Sequence, residues 1–404
     1  MAILTLNAGS SSLKFSLHNN IPPHEKRCLF RGSFSHLGGA SSIFSVSDGR
    51  GKVLEKKDTA VTSHARGVTY LLEWLFASYP DIPIDAVGHR IVHGGSAFSA
   101  PVRLTADILQ QLYQLTPLAP LHLPLGLSIV EILQTEYLHL PQVACFDTAF
   151  HHDMPACEQM YALPRQWFAK GIRRYGFHGL SYEYIAATLP EHLGSVADAR
   201  VIVAHLGQGA SLCAMYKRQS MATTMGFTPL DGIPMATRPG SLDPGIITYL
   251  VREENMAIRD IDHMLYHQCG LAGLSGGSGD MLELLTDNRA EATESIAYFA
   301  HHTHRAIASL AAALGGLDAL VFTAGIGENA STVRSAICEA AEWMGIKIDP
   351  KANTENKTRI SSDSSKVSVW VLPTDEEQMI ARHVYSVLQN EKKNEPIGNS
   401  KGTS

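Results

Sequence analysis

Three short glycine-bearing turns stand at the ends of apolar runs, and each could hold a phosphate. The first is Asn7-Ala8-Gly9-Ser10-Ser11-Ser12, between the apolar runs 2–6 and 13–17, with Lys14 just inside the return. A glycine turn followed by hydroxyls aims N–H and O–H groups at one point, which is how a loop cradles phosphate. The second turn runs His205-Leu206-Gly207-Gln208-Gly209-Ala210-Ser211, and the third Thr323-Ala324-Gly325-Ile326-Gly327-Glu328-Asn329. Arg90 and His93 stand near the end of a buried run, Asp147 closes another, His178 sits in the basic aromatic loop 173–179, and Arg238 lies among prolines and glycines. Phosphate turns with loop arginines and a few carboxylates suit phosphoryl transfer, which needs positioning and charge neutralisation more than covalent help. Each residue also has a plainer reading: a serine-tipped hairpin, a surface ion pair for Arg90, loop packing for His178, helix capping for Glu376 and Glu377. Neither a Walker A loop nor a protein-kinase glycine loop is present, and Gly325-x-Gly327 lacks the third glycine of a dinucleotide fingerprint.

The elements that must carry these residues follow from periodicity. Strands are expected at 42–46, 86–92, 143–148 and 367–371, and helices at 64–78, 105–116, about 181–189, 290–314 and from Ser331. The second turn repeats the first (apolar strand, glycine turn, Ser-Leu, returning strand) about half of the 404-residue chain later. A repeat at that spacing predicts a duplicated fold with a cleft between the copies. The stretch 118–124 reads as a rigid proline-punctuated loop and 270–279 as a glycine-serine loop ending at Asp280. Thr374 or Asp375 is the expected cap of the last helix. The domains expected are 1–148 with 378–390, and 149–377, followed by a disordered tail from Glu391 to Ser404.

Composition narrows the function classes. Apolar residues are 45% and charged residues 18%, an ordinary soluble globular balance. A formal charge of −6 gives no electrostatic case for nucleic acid. No apolar run approaches the roughly 20 residues of a membrane span, and no leader pattern precedes the first strand. The six cysteines are scattered without a CxxC pair, which suits a reducing cytoplasm. His301, His302 and His304, and His263 with His267, lack the further ligands that a transition-metal site needs.

The motifs Asn7–Phe15, Gly88–Gly95, Phe146–His151, Arg173–Gly179, Met225–Leu230, Phe322–Asn329 and Pro373–Glu377 together resemble the acetate kinase family, in that family's order and over nearly the whole chain. The resemblance implies an α/β fold of the actin, hexokinase and Hsp70 (ribonuclease H-like) type, two copies around a central nucleotide cleft. It implies transfer of the γ-phosphoryl group of ATP to acetate or propionate, giving ADP and an acyl phosphate, with Mg²⁺ (Mn²⁺ as an alternative), in a cytoplasmic homodimer. It assigns Arg90 and Arg238 to the carboxylate and the transferring group, His178 to that group in flight, Asp147 to holding the constellation, and His122 to a further contact. Asn7 and Glu376 fall to the metal, and Val92, Leu121, Phe177 and Pro229 to the acyl pocket, which favours two or three carbons because more would overpack it. Ser10, Ser12, Lys14, His205, Gly207, Gln208, Gly209, Asp280, Met281, Leu282, Gly325, Ile326, Gly327 and Asn329 fall to the nucleotide.

The chain departs from the family pattern mainly at the nucleotide end. Gln208 stands where the family has Asn, and Leu123-Pro124 where it has Asn-Pro. Pro239 and Ser241 replace Ser and Asp. Asp280-Met281-Leu282 lacks the arginine that packs on adenine, so looser base recognition is expected. A nucleotide-binding regulator without metabolite kinase activity is the second class that this fold serves.

Overall fold

The computed structural model describes residues 1–9, 11–19, 28–120 and 122–394. The chain divides into two compact units, Met1–Ala149 joined by the chain from Asp375 onward, and Phe150–Thr374. The expected boundary at 377/378 therefore moves to 374/375: the whole last helix, Glu376–Asn394, belongs to the first unit.

The first unit's strands are β1 Ala2–Ala8, β2 Ser12–Asn19, β3 Cys28–Ser35, β4 Ser42–Asp48, β5 Val53–Thr59, β6 Ala86–Ile91, β7 Val102–Arg103 and β8 Gln142–Phe146. They form one sheet in the order β5-β4-β3-β2-β1-β6-β8-β7. The second unit has β9 Arg200–Leu206, β10 Ala210–Tyr216, β11 Gln219–Thr223, β12 Ala319–Thr323 and β13 Ser368–Val371, in the order β11-β10-β9-β12-β13. The segments β3-β2-β1-β6-β8 and β11-β10-β9-β12-β13 share one pattern. A central strand pairs antiparallel with its hairpin partner on one side and parallel with a later strand on the other. The half-length sequence repeat is thus a duplicated sheet topology. The central strands read as continuous apolar runs because both faces of a parallel sheet are covered.

In the first unit an aromatic cluster covers one face. Phe44 stacks on Phe15 and meets Tyr70 and Trp74 edge-on, which seats the helix His64–Ser78. The last helix packs on β1 and β6, where Gly88 makes room. A Cβ at Gly88 would lie 2.4 Å from Ile380 Cγ2 and 2.6 Å from Val384 Cγ2. Gly88→Ala is therefore expected to cost ~1–3 kcal/mol by overpacking, read as a lowered melting temperature. Wild-type stability in that variant would show that the helix gives way freely.

Several expectations need correction. A helix begins at Leu123 and runs to Glu136, within the stretch read as a loop, because Pro124 at a first helical turn lacks only an N–H that has no intrahelical partner anyway. Gly270–Ser275 is helical rather than loop, and closes on left-handed Gly276. The glycine there lets backbones touch, since a Cβ at Gly270 would lie 2.2 Å from the Met235 carbonyl. The polar stretch before residue 60 holds β3 and β5 besides the expected β4, and the helix expected at 181–189 spans Gly179–Leu193. The expected tail from Glu391 is helical as far as Asn394, with Arg103 Nη1 2.9 Å from Glu391 Oε2. The remainder of that expectation, 395–404, lies outside the described residues. Asp375 caps the last helix by accepting from Gln378 N at 2.9 Å. Among the described residues no helix is long and apolar enough to cross a membrane.

Candidate active site

In the first unit, β1, β6 and β8 run parallel, so their C-terminal ends meet along one edge. The register pairs Leu6 with His89 and Arg90 with Cys145, which places Asn7, Arg90 and Asp147 side by side at that edge. Arg90 donates from Nε (2.9 Å) and Nη2 (2.5 Å) to Asp147 Oδ2, and from Nη1 to Asn7 Oδ1 at 3.1 Å. Asn7 Nδ2 in turn donates to Glu376 Oε2 at 3.0 Å and Glu377 Oε1 at 3.1 Å.

Burial opposes the Arg90 charge, but Asp147 and then Glu376 more than offset it, so the guanidinium is held more firmly protonated than usual. Burial pushes the Asp147 carboxyl up while Arg90 pulls it back. Two hydrogen bonds from a guanidinium to one oxygen keep that pair ionised at neutral pH. Burial raises the Glu377 carboxyl, the charge of Glu376 adds to this, and Lys14 opposes it. Asp147 Oδ1 is buried with no hydrogen-bond partner among the described residues.

The first glycine turn is closed by Gly9 N donating to Ser12 O at 2.8 Å, and His64 Nε2 donates to the Gly9 carbonyl at 2.8 Å. Ser10 and Leu121 lie outside the described residues. Lys14 is exposed and paired in register with Asn7. His122 is the half-buried N-cap of the helix Leu123–Glu136, and Val92 is buried.

The second unit gathers the other half of the predicted residues. His178 opens the helix Gly179–Leu193 with φ +60°, a left-handed conformation that strains a non-glycine residue. His151 Nε2 donates to the Phe177 carbonyl at 3.0 Å and steadies that turn. The His178 ring stacks on His205, with centroids 4.2 Å apart. Arg238 Nη1 donates to the Pro229 carbonyl at 2.8 Å. A Cβ on Gly209 would lie 2.7 Å from Arg238 Nη2 and 3.1 Å from His178 Nε2. The two cationic or donor groups therefore converge on the bare α-carbon of the second glycine turn. Phe177 and Pro229 are both buried beside them in sequence and space.

A cavity of about 350 Å³ opens beyond that turn. Gly207, Gln208, Asp280, Met281, Leu282, Gly325, Ile326 and Asn329 line it, all of them expected nucleotide residues, together with Gly279, Leu285 and Ala330, which were not expected. Gly327 is buried beneath, and its carbonyl accepts from Arg334 Nη1 at 2.9 Å. His205 does not line the cavity but backs His178. Asp280 Oδ1 caps the turn Met281–Leu284 by accepting from Leu282 N at 2.8 Å. Leu282 is 75% exposed at the rim.

The chain matches the model of the acetokinase family over residues 2–382. The chain belongs to the acetokinase family. It is 49% identical over 390 residues to an acetate kinase of Rhodopseudomonas palustris, covering 95% of this chain and 97% of that one. It is 45% identical over 394 residues to the acetate kinase of Methylocella silvestris, covering 96% and 98%. Among solved structures it is similar to a propionate kinase from Francisella tularensis, with TM-score 0.88 and 37% identity over 95% of this chain and 98% of that one. It is likewise similar to the acetate kinase of Porphyromonas gingivalis, with TM-score 0.84 and 37% identity over 96% and 99%. The two-unit α/β architecture agrees with these relatives.

Besides Gly279, Leu285 and Ala330, four residues that hold the site in this acetokinase-family chain were not expected from the sequence. Arg334, wholly buried, holds the third turn through Gly327, Asn353 and Asn356. His64 holds the first turn, His151 the His178 turn, and Ser211 accepts or donates at His178 Nδ1, 2.9 Å away. A buried arginine in an otherwise amphipathic helix was the one readable signal; the histidines carried none.

Proposed function

We propose that the chain transfers the γ-phosphoryl group of ATP to the carboxylate of acetate or propionate, reversibly. The observation that carries this reading is the presence of Asn7, Arg90 and Asp147 at one strand edge and of His178 and Arg238 over Gly209, in a chain related to acetate and propionate kinases over 95% of its length. In this reaction a carboxylate oxygen forms a bond to the γ-phosphorus. The bond from that phosphorus to the β–γ bridging oxygen breaks, and its electron pair leaves with ADP. The carboxylate is already ionised at neutral pH, so no general base is needed. Arg90, pinned by Asp147, binds the carboxylate. Arg238 and His178 donate to the equatorial oxygens of the group in flight, where charge is spread at the transition state. Val92 of the first unit, and Phe177 and Pro229 of the second, are the residues we assign to recognition of the acyl group.

The first unit's residues fit a hard divalent cation. Glu376 and Glu377 crowd Asn7, and Asp147 Oδ1 is buried without a donor, so oxygen ligands and surplus negative charge stand together. Among the described residues no group of three or more His, Cys, Asp or Glu could enclose a metal alone. Mg²⁺ keeps waters and phosphate oxygens and needs only one or two protein carboxylates, which Glu376 can supply. Asn7 and Glu376 would hold it, and when bound it neutralises the phosphate chain.

Hydroxylamine trapping of acyl phosphate, with ATP, Mg²⁺ and either carboxylate, tests the reading. Hydroxamate is the expected product. No product from either acid, alongside measurable nucleotide binding, would point to a regulator of the same fold.

The cavity's rim supports relaxed donor selectivity. The Leu282 side chain offers neither hydrogen bonds nor a guanidinium plane, and Asp280 Oδ1 is engaged in a helix cap. GTP, CTP and UTP are expected to serve with kcat/KM within about tenfold of ATP, the scale of one missing base contact. A hundredfold or greater preference for ATP in a donor panel would refute this.

The helix Pro244–Arg252 buries none of its residues, and Ile246 (43% exposed) and Tyr249 (53%) present an apolar face. Such a face marks an interaction surface, and we assign the homodimer contact to it. Sedimentation should show a dimer that Tyr249→Glu converts to monomers; a monomeric wild type would remove the assignment. The six thiols, none disulfide-bonded, support a cytoplasmic setting.

A further inference from the structure

We propose that Tyr182 and Ser211 are positioning residues that fix the tautomer of His178, so that Nε2 carries the proton presented to the transferring phosphoryl group. The inference rests on the function proposed above for His178.

Tyr182 is wholly buried, and its hydroxyl makes one hydrogen bond among the described residues, to Ser211 Oγ at 2.5 Å. Ser211 is equally buried and lies 2.9 Å from His178 Nδ1. A buried O–H that donates to nothing incurs the full desolvation penalty, ~1–3 kcal/mol. Tyr182 must therefore donate to Ser211. The Ser211 proton then has one place to go, the lone pair of His178 Nδ1. That leaves the ring proton on Nε2, the atom that faces Arg238 Nη2 over Gly209.

Without Tyr182 the direction would be undetermined, because a serine hydroxyl can equally accept from an Nδ1–H by rotating. The stacked neighbour strengthens the assignment. His205 lies face to face with His178, 4.2 Å between centroids and 19° apart in plane, which resists a ring flip. Its own Nδ1 contacts Ser181 Oγ at 2.8 Å, and that hydroxyl donates to Thr374 Oγ1 at 2.9 Å. Ser181 therefore accepts from His205 Nδ1–H. Two hydroxyl chains thus set opposite tautomers on a stacked pair.

The test is ¹⁵N NMR of histidine-labelled full-length protein without substrate, with His178 assigned by the signal lost in His178→Gln. The wild type should show His178 with an unprotonated Nδ1 and a protonated Nε2. Tyr182→Phe, which keeps the ring and removes only the hydroxyl, should give a mixture of tautomers. Its kcat should fall about tenfold, with both KM values within about twofold. Ser211→Ala should give the same pair of changes and serves if Tyr182→Phe does not fold. A protonated Nδ1 in the wild type, or a Tyr182→Phe protein with unchanged tautomer and kcat, would overturn the proposal. The expected spectrum in a wild type that makes no acyl phosphate would support the relay and count against the proposed reaction instead.

Discussion

Arg238→Ala is expected to lower kcat by about a thousandfold or more, the scale at which a charge-neutralising arginine contributes to phosphoryl transfer. Binding of the nucleotide should change much less, because the cavity that holds the expected nucleotide residues does not include Arg238. The fold should survive. The loop is held by main-chain bonds, Met235 N to Arg238 O at 3.0 Å and Ala236 N to Gln208 O at 3.1 Å, neither of which uses the arginine side chain. The melting temperature should therefore shift by no more than about 4 °C, as ~1 kcal/mol would produce in a protein of this size. Arg238→Lys restores the charge without the planar fork that meets two oxygens at once, so it should recover only part of the rate. Initial rates and melts on the three proteins decide the matter. Activity within tenfold of wild type in the alanine variant would remove Arg238 from the reaction.

Stability is expected to collapse between pH 6.5 and 4, and earlier in the first unit than in the second. His18, His89, His93 and His151 are buried, and burial lowers each from 6.5 to about 4. Above pH 6.5 these rings are neutral in both states and contribute no pH dependence. Between 6.5 and 4 the unfolded chain binds protons that the folded chain refuses, so stability falls with pH. At pH 5 each ring forfeits about 2 kcal/mol, and the four together approach the ~5–15 kcal/mol by which a domain is stable. Loss of hydration explains the refusal, and the contacts to Gln142 at His89 and to the Phe177 carbonyl at His151 oppose it without overcoming it. His89 Nε2 lies 2.7 Å from Gln142 Oε1, and His93 Nδ1 accepts from Gly95 N at 2.8 Å. Glu377 and Asp147, whose carboxyls are raised, bind protons more readily when folded and offset part of the loss. Three of the four histidines lie in the first unit and one in the second. Hydrogen exchange at pH 5 should therefore strip protection from β1, β2 and β6 before β9 and β12. A melting temperature that stays flat from pH 7 to pH 5 would contradict this account.

The legible parts of this chain were those written in local pattern. Continuous apolar runs marked β1, β6, β8, β9 and β12 because both faces of those strands are covered. Glycine turns marked their ends, and the repeat of strand, turn and returning strand announced the duplicated sheet. Arg90, Asp147, His178 and Arg238 were visible as charged or polar residues at strand ends and in loops, where side chains converge. The helix Leu123–Glu136 was lost because Pro124 breaks a helix everywhere except its first turn. The helix Gly270–Ser275 was lost because close backbone packing overrode poor glycine propensity.

By itself the amino-acid sequence determined the duplicated α/β plan, the family and the identity of the residues that could carry phosphoryl chemistry. These depend on residue types over short spans, where sterics and periodicity act. Only the tertiary structure decided how those residues are held. The left-handed His178, the Asp147–Arg90–Asn7 chain, the Arg334 clamp under the third turn and the Tyr182–Ser211 relay join positions far apart along the chain. A buried polar atom is obliged to find a partner, but which partner depends on the packing of whole elements, and that is not written at the residue itself.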